Sequence, residues 1–135
     1  MKKLLCSLFA LSAVSTAMAQ EVNIKLLGTS DIHGRVVPWS YGADVEDKSG
    51  SYAQIATYVK DVRKNNKNVV LVDVGDAIQD NQVDVFAKDK KYYKDHPIPK
   101  VLNEMKYDIF VLGNHEFNFG MKALDEILKD IKAKK

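Results

Sequence analysis

Val69-Val70-Leu71-Val72-Asp73-Val74-Gly75-Asp76 is the stretch from which the fold is read. A continuous apolar run, mostly β-branched and closed by a Gly-Asp pair, predicts a strand buried on both faces, as in the middle of a parallel sheet. Asp76 then lies just past the strand's carboxyl end, where a glycine lets the chain turn tightly. Two other segments repeat the plan. Asn23 to Thr29 sets Ile24 and Leu26 against Lys25, as a half-buried strand does, and runs into Ser30-Asp31-Ile32-His33-Gly34. Ile109-Phe110-Val111-Leu112 runs into Gly113-Asn114-His115-Glu116.

The segments between these strands carry helical signals. Ser51 and Gln54 form a capping-box pattern, and Tyr52, Ile55, Ala56, Val59 and Val62 follow at helical spacing toward Asn65-Asn66. Arg35 to Gly50 reads as a loop. A further helix-compatible stretch begins near Gln82, and Lys88 to Pro97 has no clear period. Pro99 is expected at the first position of a short helix carrying Val101, Leu102 and Met105. Met121, Leu124, Ile127, Leu128 and Ile131 predict a final amphipathic helix ending in lysines. Strand and helix therefore alternate, which predicts a layered α/β domain with a largely parallel sheet. Ligands in such sheets bind beyond the carboxyl ends of the strands, where all three polar clusters lie.

The donor types there are carboxylate, imidazole and amide oxygen, with no thiolate, a set suited to hard and borderline divalent cations. Asp31 and His33, two residues apart, leave the same face if the backbone is extended, and can then chelate one ion. Asp76 can bridge two ions through its two oxygens, whereas Asp73 is expected to end the strand or satisfy backbone donors. Asn114 offers a neutral carbonyl oxygen, and His115 can face a substrate as a donor. Each cluster alone also fits an ordinary loop Asp, a Gly-Asp turn or an Asn helix cap. Their recurrence at three strand ends is what argues for one shared site.

These motifs, in this order, resemble the first three of the calcineurin-like metallophosphoesterases. More narrowly, Thr29 to Gly34, Val74 to Gln79 and Gly113 to Gly120 are similar to the exported 5′-nucleotidase and 2′,3′-cyclic-nucleotide 2′-phosphodiesterase group. The resemblance implies a partial metallophosphoesterase-type sandwich and two divalent metal ions (Mn, Zn, Fe or Co). Asp31 and His33 would hold one ion, Asp76 both and Asn114 the second, and His115 would be catalytic. It implies hydrolysis of nucleotide phosphate esters, namely 2′,3′-cyclic nucleotides and 3′- or 5′-monophosphates. Two features depart from the pattern. The 5′-nucleotidase branch typically has Asp three residues after the catalytic histidine, where this chain has Asn118. The family's later metal-binding histidines and its C-terminal nucleotide-recognition domain have no counterpart, so residues 20–135 are expected to be the N-terminal part of the domain, completed by a C-terminal portion of the same protein. A non-catalytic metal-binding fragment and an exported interaction module are the alternative readings.

Lys2 and Lys3, the apolar run from Leu4 to Val14 and Ala17-Met18-Ala19 read as a signal peptide over 1–19, which predicts a periplasmic or secreted protein with no stable membrane insertion after cleavage. Cys6, the only cysteine, falls inside it, so no disulfide is expected. The net charge of +2 gives no basic face for a nucleic-acid duplex. His96, in a charged stretch, is not expected to be a ligand. Tyr92-Tyr93 is expected to pack a loop, and Lys129 to Lys135 to be a solvated helix end. Trp39 closely follows His33, but lining the site is not its expected role.

Overall fold

The computed structural model describes residues 21–135, so the signal-peptide reading and Cys6 lie outside the described residues. Strands β1 (Lys25–Thr29), β4 (Val69–Asp73) and β5 (Ile109–Phe110) form a parallel sheet in the order β1-β4-β5. Thr29 is in register with Asp73, and Asp73 with Phe110, so the three strands deliver their carboxyl ends to one edge. The predicted α/β class and parallel sheet are what the chain forms. The long loop contains a small antiparallel pair, β2 (Trp39–Ser40) and β3 (Val45–Glu46).

Among the described residues four α-helices, α1 (Tyr52–Asn65), α2 (Asp84–Lys88), α3 (Pro97–Glu104) and α4 (Met121–Leu128), accompany the sheet. The core joins Leu71 and Phe110 from the sheet to Tyr52 and Val59 of α1, Ile98 and Leu102 of α3, and Leu124 and Ile127 of α4. Each such side chain contributes about 1.5–3 kcal/mol on burial, so this face holds the domain together. Ser51 caps α1 by accepting from the Gln54 N–H at 3.4 Å, as its motif predicts.

Four expectations are corrected. The Val69 to Val72 run is not buried on both faces. Leu71 is buried, but Val70 and Val72 are half-buried and lie in register with Leu26 (72% exposed) and Ile109. Helix α3 starts at Pro97, two residues before Pro99, because His96 supplies the cap: its Nδ1 accepts from Ile98 N–H at 3.4 Å. β5 covers only Ile109–Phe110, and beyond it Val111 N–H still reaches the Asp73 carbonyl at 2.8 Å. Helix α4 ends at Leu128, and the lysine-rich end is not its solvated tip. Phe110 N–H donates to the Lys134 carbonyl at 2.8 Å and Lys134 N–H to the Asp108 carbonyl at 3.0 Å, so this segment runs along the sheet edge. Alternating side chains explain the behaviour, since buried Ile131 and Ala133 face in and the lysines face out. Trp39, as expected, stands apart from the cleft of Asp31 and His33, on an apolar cleft with Val37, Tyr41, Val83 and Phe86.

His96 is buried, with Nε2 3.3 Å from the Ile78 carbonyl. Burial pulls its pKa down from 6.5 to about 4, against smaller opposing effects of the Ile78 carbonyl and the Asp84 charge. The unfolded imidazole binds its proton near pH 6.5 and the folded one only near 4, so stability is full above pH 6.5 and falls as the pH drops toward 4. The loss should approach about 3 kcal/mol. Urea titrations at pH 7.5 and 4.5 should show it, and His96→Asn, which keeps a capping oxygen, should shrink the difference. Equal losses in both chains would refute the assignment.

Candidate metal centre

β1 ends at Thr29, and the chain then enters a turn in which Asp31 and His33 both have left-handed backbones (φ 55° and 49°). This corrects the extended geometry expected for the pair. Strand alternation does not bring them together; the turn does, held by Asp31 N–H to the Gly75 carbonyl (3.0 Å) and His33 N–H to the Asp76 carbonyl (2.9 Å). Asp76 also has φ 58°. Aspartate and histidine tolerate this region better than most residues, and such backbone strain gathers at functional sites.

Ligand atoms of Asp31, His33 and Asp76 all lie within 4.8 Å of one another. His33 Nδ1 lies 3.3 Å from the Gln79 carbonyl and Nε2 3.9 Å from Asp31 Oδ1. With Nδ1–H donating to that carbonyl, the Nε2 lone pair faces the carboxylates, which is how a histidine is readied for a cation. The donor set and spacing therefore fit a divalent ion. A cleft of about 400 Å³ opens beside it, lined by Ser30, Arg35, Ser49, Asp80 and Asn81 among others.

Asn114 is exposed between Gly113 and His115, both of which touch Asp76. His115 N–H donates to Asp76 Oδ1 at 2.8 Å, and a Cβ on Gly113 would lie 2.3 Å from the same oxygen. The His115 and His33 rings stand edge to face with centroids 5.3 Å apart. All five residues singled out by sequence thus belong to one strand-end neighbourhood, with Asp31, His33 and Asp76 as its tight cluster.

Asn118 is the position at which the sequence departs from the 5′-nucleotidase branch. Its Nδ2 donates to Gln79 Oε1 at 2.8 Å and lies 2.9 Å from His115 Nδ1. With the amide as donor, Nδ1 accepts and the neutral ring carries its proton on Nε2.

Asp73 is fully buried and accepts from Thr29 Oγ1 (2.6 Å), Tyr52 hydroxyl (3.2 Å) and Gly75 N–H (2.9 Å), satisfying a backbone donor as its position suggested. Burial pushes its carboxyl above the usual range, with those hydrogen bonds opposing. Burial likewise lifts Tyr107, whose hydroxyl is 2.9 Å from Thr29 Oγ1, to about 12.

Two residues escaped assignment from sequence. Gln79 touches the His33 ring through its backbone carbonyl and, through its side chain, the Asn118 amide that meets the His115 ring. Glu116 is fully buried beneath the Asp76 turn. Their only signal was membership of the motif stretches.

Residues 24–134 match the calcineurin-like phosphoesterase family. The chain belongs to this family. Among its relatives, the trifunctional nucleotide phosphoesterase protein YfkN of Bacillus subtilis is 40% identical over 119 residues, covering 82% of this chain and 8% of that protein. The 2′,3′-cyclic-nucleotide 2′-phosphodiesterase/3′-nucleotidase of Haemophilus influenzae is 35% identical over 131 residues, covering 93% of this chain and 20% of that protein. The crystal structure of Bacillus subtilis YfkN superposes with a TM-score of 0.75 at 36% identity, covering 82% of this chain and 35% of that one. This phosphoesterase-family chain thus spans a fifth or less of those two curated relatives. Among its described residues no helix is long and apolar enough to cross a membrane.

Proposed function

We propose that this chain supplies the metal-binding and phosphate-facing part of an exported hydrolase of nucleotide phosphate esters, with 2′,3′-cyclic nucleotides and 3′- or 5′-monophosphates as substrates. The observation that carries this reading is the meeting of Asp31, His33 and Asp76 within 4.8 Å at the carboxyl edge of a parallel sheet. In it, Asp31 and His33 would hold one divalent ion, Asp76 would serve both ions of a pair, and Asn114 would offer its amide oxygen to the second. Bound ions of this kind supply Lewis acidity toward phosphate oxygens and an ionised water near neutral pH. Manganese, zinc, iron and cobalt all suit such donors. His115, with Nδ1 engaged by Asn118, keeps Nε2–H for the oxygen on which negative charge collects.

The reading extends to domain organisation. Leu26, Ile109, Val74 and Val111 leave an exposed apolar strip on the sheet, opposite the helices. Together with the share of its relatives that the chain covers, this supports residues 20–135 as the N-terminal part of a larger domain whose further polypeptide covers the strip and adds ligands. The same strip favours the second reading, that the chain by itself binds metal without turnover. Export rests on the N-terminal residues 1–19.

Hydrolysis of bis(p-nitrophenyl) phosphate with added Mn²⁺ tests both readings. If the chain is active, His115→Ala should lower the rate about 10²–10³-fold, the usual effect of removing a transition-state donor, and leave Mn²⁺ affinity within about threefold. Binding without turnover would support the second reading. An active chain indifferent to His115→Ala would refute the role given to that residue, and absence of Mn²⁺ binding would refute both readings.

A further inference from the structure

Glu116 is a carboxylate with no exposure, sitting in the short 3₁₀ turn His115–Phe117. Its Oε2 accepts from the Asp76 N–H and from the Gly113 N–H, each at 2.7 Å. Its Oε1 accepts from the Ala77 N–H at 2.6 Å and from the Ile78 N–H at 3.3 Å. One side chain therefore gathers the backbone of the turn that carries Asp76 and the backbone of the segment that carries Asn114 and His115.

The approach of the two segments is unusually close. A Cβ on Gly75 would lie 2.1 Å from Gly113 N and 2.9 Å from Glu116 Oε2, and a Cβ on Gly113 would lie 2.3 Å from Asp76 Oδ1. Both positions are glycine, so nothing but hydrogen atoms separates the backbones, and the amide dipoles converge on the buried carboxylate. Charge-assisted bonds of this kind are short and strong, and a buried carboxylate satisfied by several N–H groups resists displacement. The coupling runs both ways, since His115 N–H also donates to Asp76 Oδ1 at 2.8 Å.

We infer that Glu116 is a positioning residue: it locks the Asp76 turn against the Gly113–His115 segment and so sets the geometry of the ligands from both before any ion is bound. It touches neither ion nor substrate in this role. The inference rests on reading the Asp31, His33 and Asp76 cluster as the metal centre, and its test separates the two.

The test uses the full chain with Zn²⁺, which is diamagnetic, in two measurements. The first is calorimetric affinity in Glu116→Gln, which removes the charge and turns one acceptor into a donor facing N–H groups, and in Glu116→Asp, which keeps the charge but is one methylene too short to reach both segments. Both variants should bind about tenfold more weakly, the size of effect seen when an outer partner of a ligand is changed. Wild-type affinity in a folded Glu116→Gln would overturn the inference. So would retention in Glu116→Asp alone, which would make the effect one of charge. The second is amide hydrogen exchange in the ion-free wild-type chain. The Asp76, Ala77 and Gly113 amides should exchange as slowly as those of β4. Rapid exchange that slows only on adding Zn²⁺ would overturn the inference even if the variants do not fold. A wild-type chain that binds no Zn²⁺ overturns the reading of the centre, and the exchange measurement then decides the lock by itself.

Discussion

Asp76→Asn should raise the dissociation constant for Mn²⁺ more than about a hundredfold, beyond what changing an outer partner of a metal ligand removes. The substitution is chosen because little else should change. Asparagine tolerates the left-handed backbone that Asp76 adopts (φ 58°), and its amide oxygen can still accept from His115 N–H as Asp76 Oδ1 does at 2.8 Å. The backbone bonds to Glu116 and from His33 N–H are untouched. What disappears is the negative charge that is shared between the Asp31/His33 cluster and the Asn114 segment. Stability in urea should therefore stay within about 1 kcal/mol of the parent chain. Calorimetry with Mn²⁺ measures the first quantity and urea titration the second. Unchanged Mn²⁺ affinity in a folded Asp76→Asn chain would remove Asp76 from the centre.

Gly75→Ala should destabilise the chain by about 4 kcal/mol, combining backbone strain with overpacking against a neighbour that cannot yield. Gly75 has φ 98°, a conformation that alanine reaches only with strain. Its added methyl would sit 2.1 Å from Gly113 N and 2.6 Å from Gly113 Cα, so the obstacle is backbone and not a flexible side chain. To make room, the Asp76 turn must leave the Gly113 segment, which also breaks the bonds both make to Glu116. Urea unfolding of the purified chain reports the loss. By contrast, Gly42→Ala, with open space around the new methyl, should change stability by less than about 1 kcal/mol and serves as the control. Equal effects at the two positions would show that close packing is not what Gly75 provides.

The fold was legible wherever a pattern is local. Apolar runs that end in Gly, Asp or Asn gave β1, β4 and β5, and Ser51 with the helical period after it gave α1. The structure departs from the local pattern chiefly where a distant partner decides. Burial against Ile78 and the cap on α3 give His96 a structural task that its charged sequence neighbours do not announce. The lysine-rich end looked like a solvated helix because its composition is polar, whereas its backbone pairs with the Asp108 to Phe110 edge. Strand alternation predicts the meeting of Asp31 and His33 for the wrong reason, since they meet through left-handed turns fixed by the Gly75 and Asp76 carbonyls.

The sequence by itself determined which donor atoms are present, that they stand at the carboxyl ends of strands, and which family the motifs resemble. These follow from residue type and period, which are properties of neighbours along the chain. Only the tertiary structure decided that Gly75 and Gly113 let two backbones touch, that Glu116 is buried between them, and that Gln79 faces both His33 and Asn118. Those relations join residues roughly forty positions apart, and no local propensity encodes them, because they exist once the sheet has brought its strand ends together.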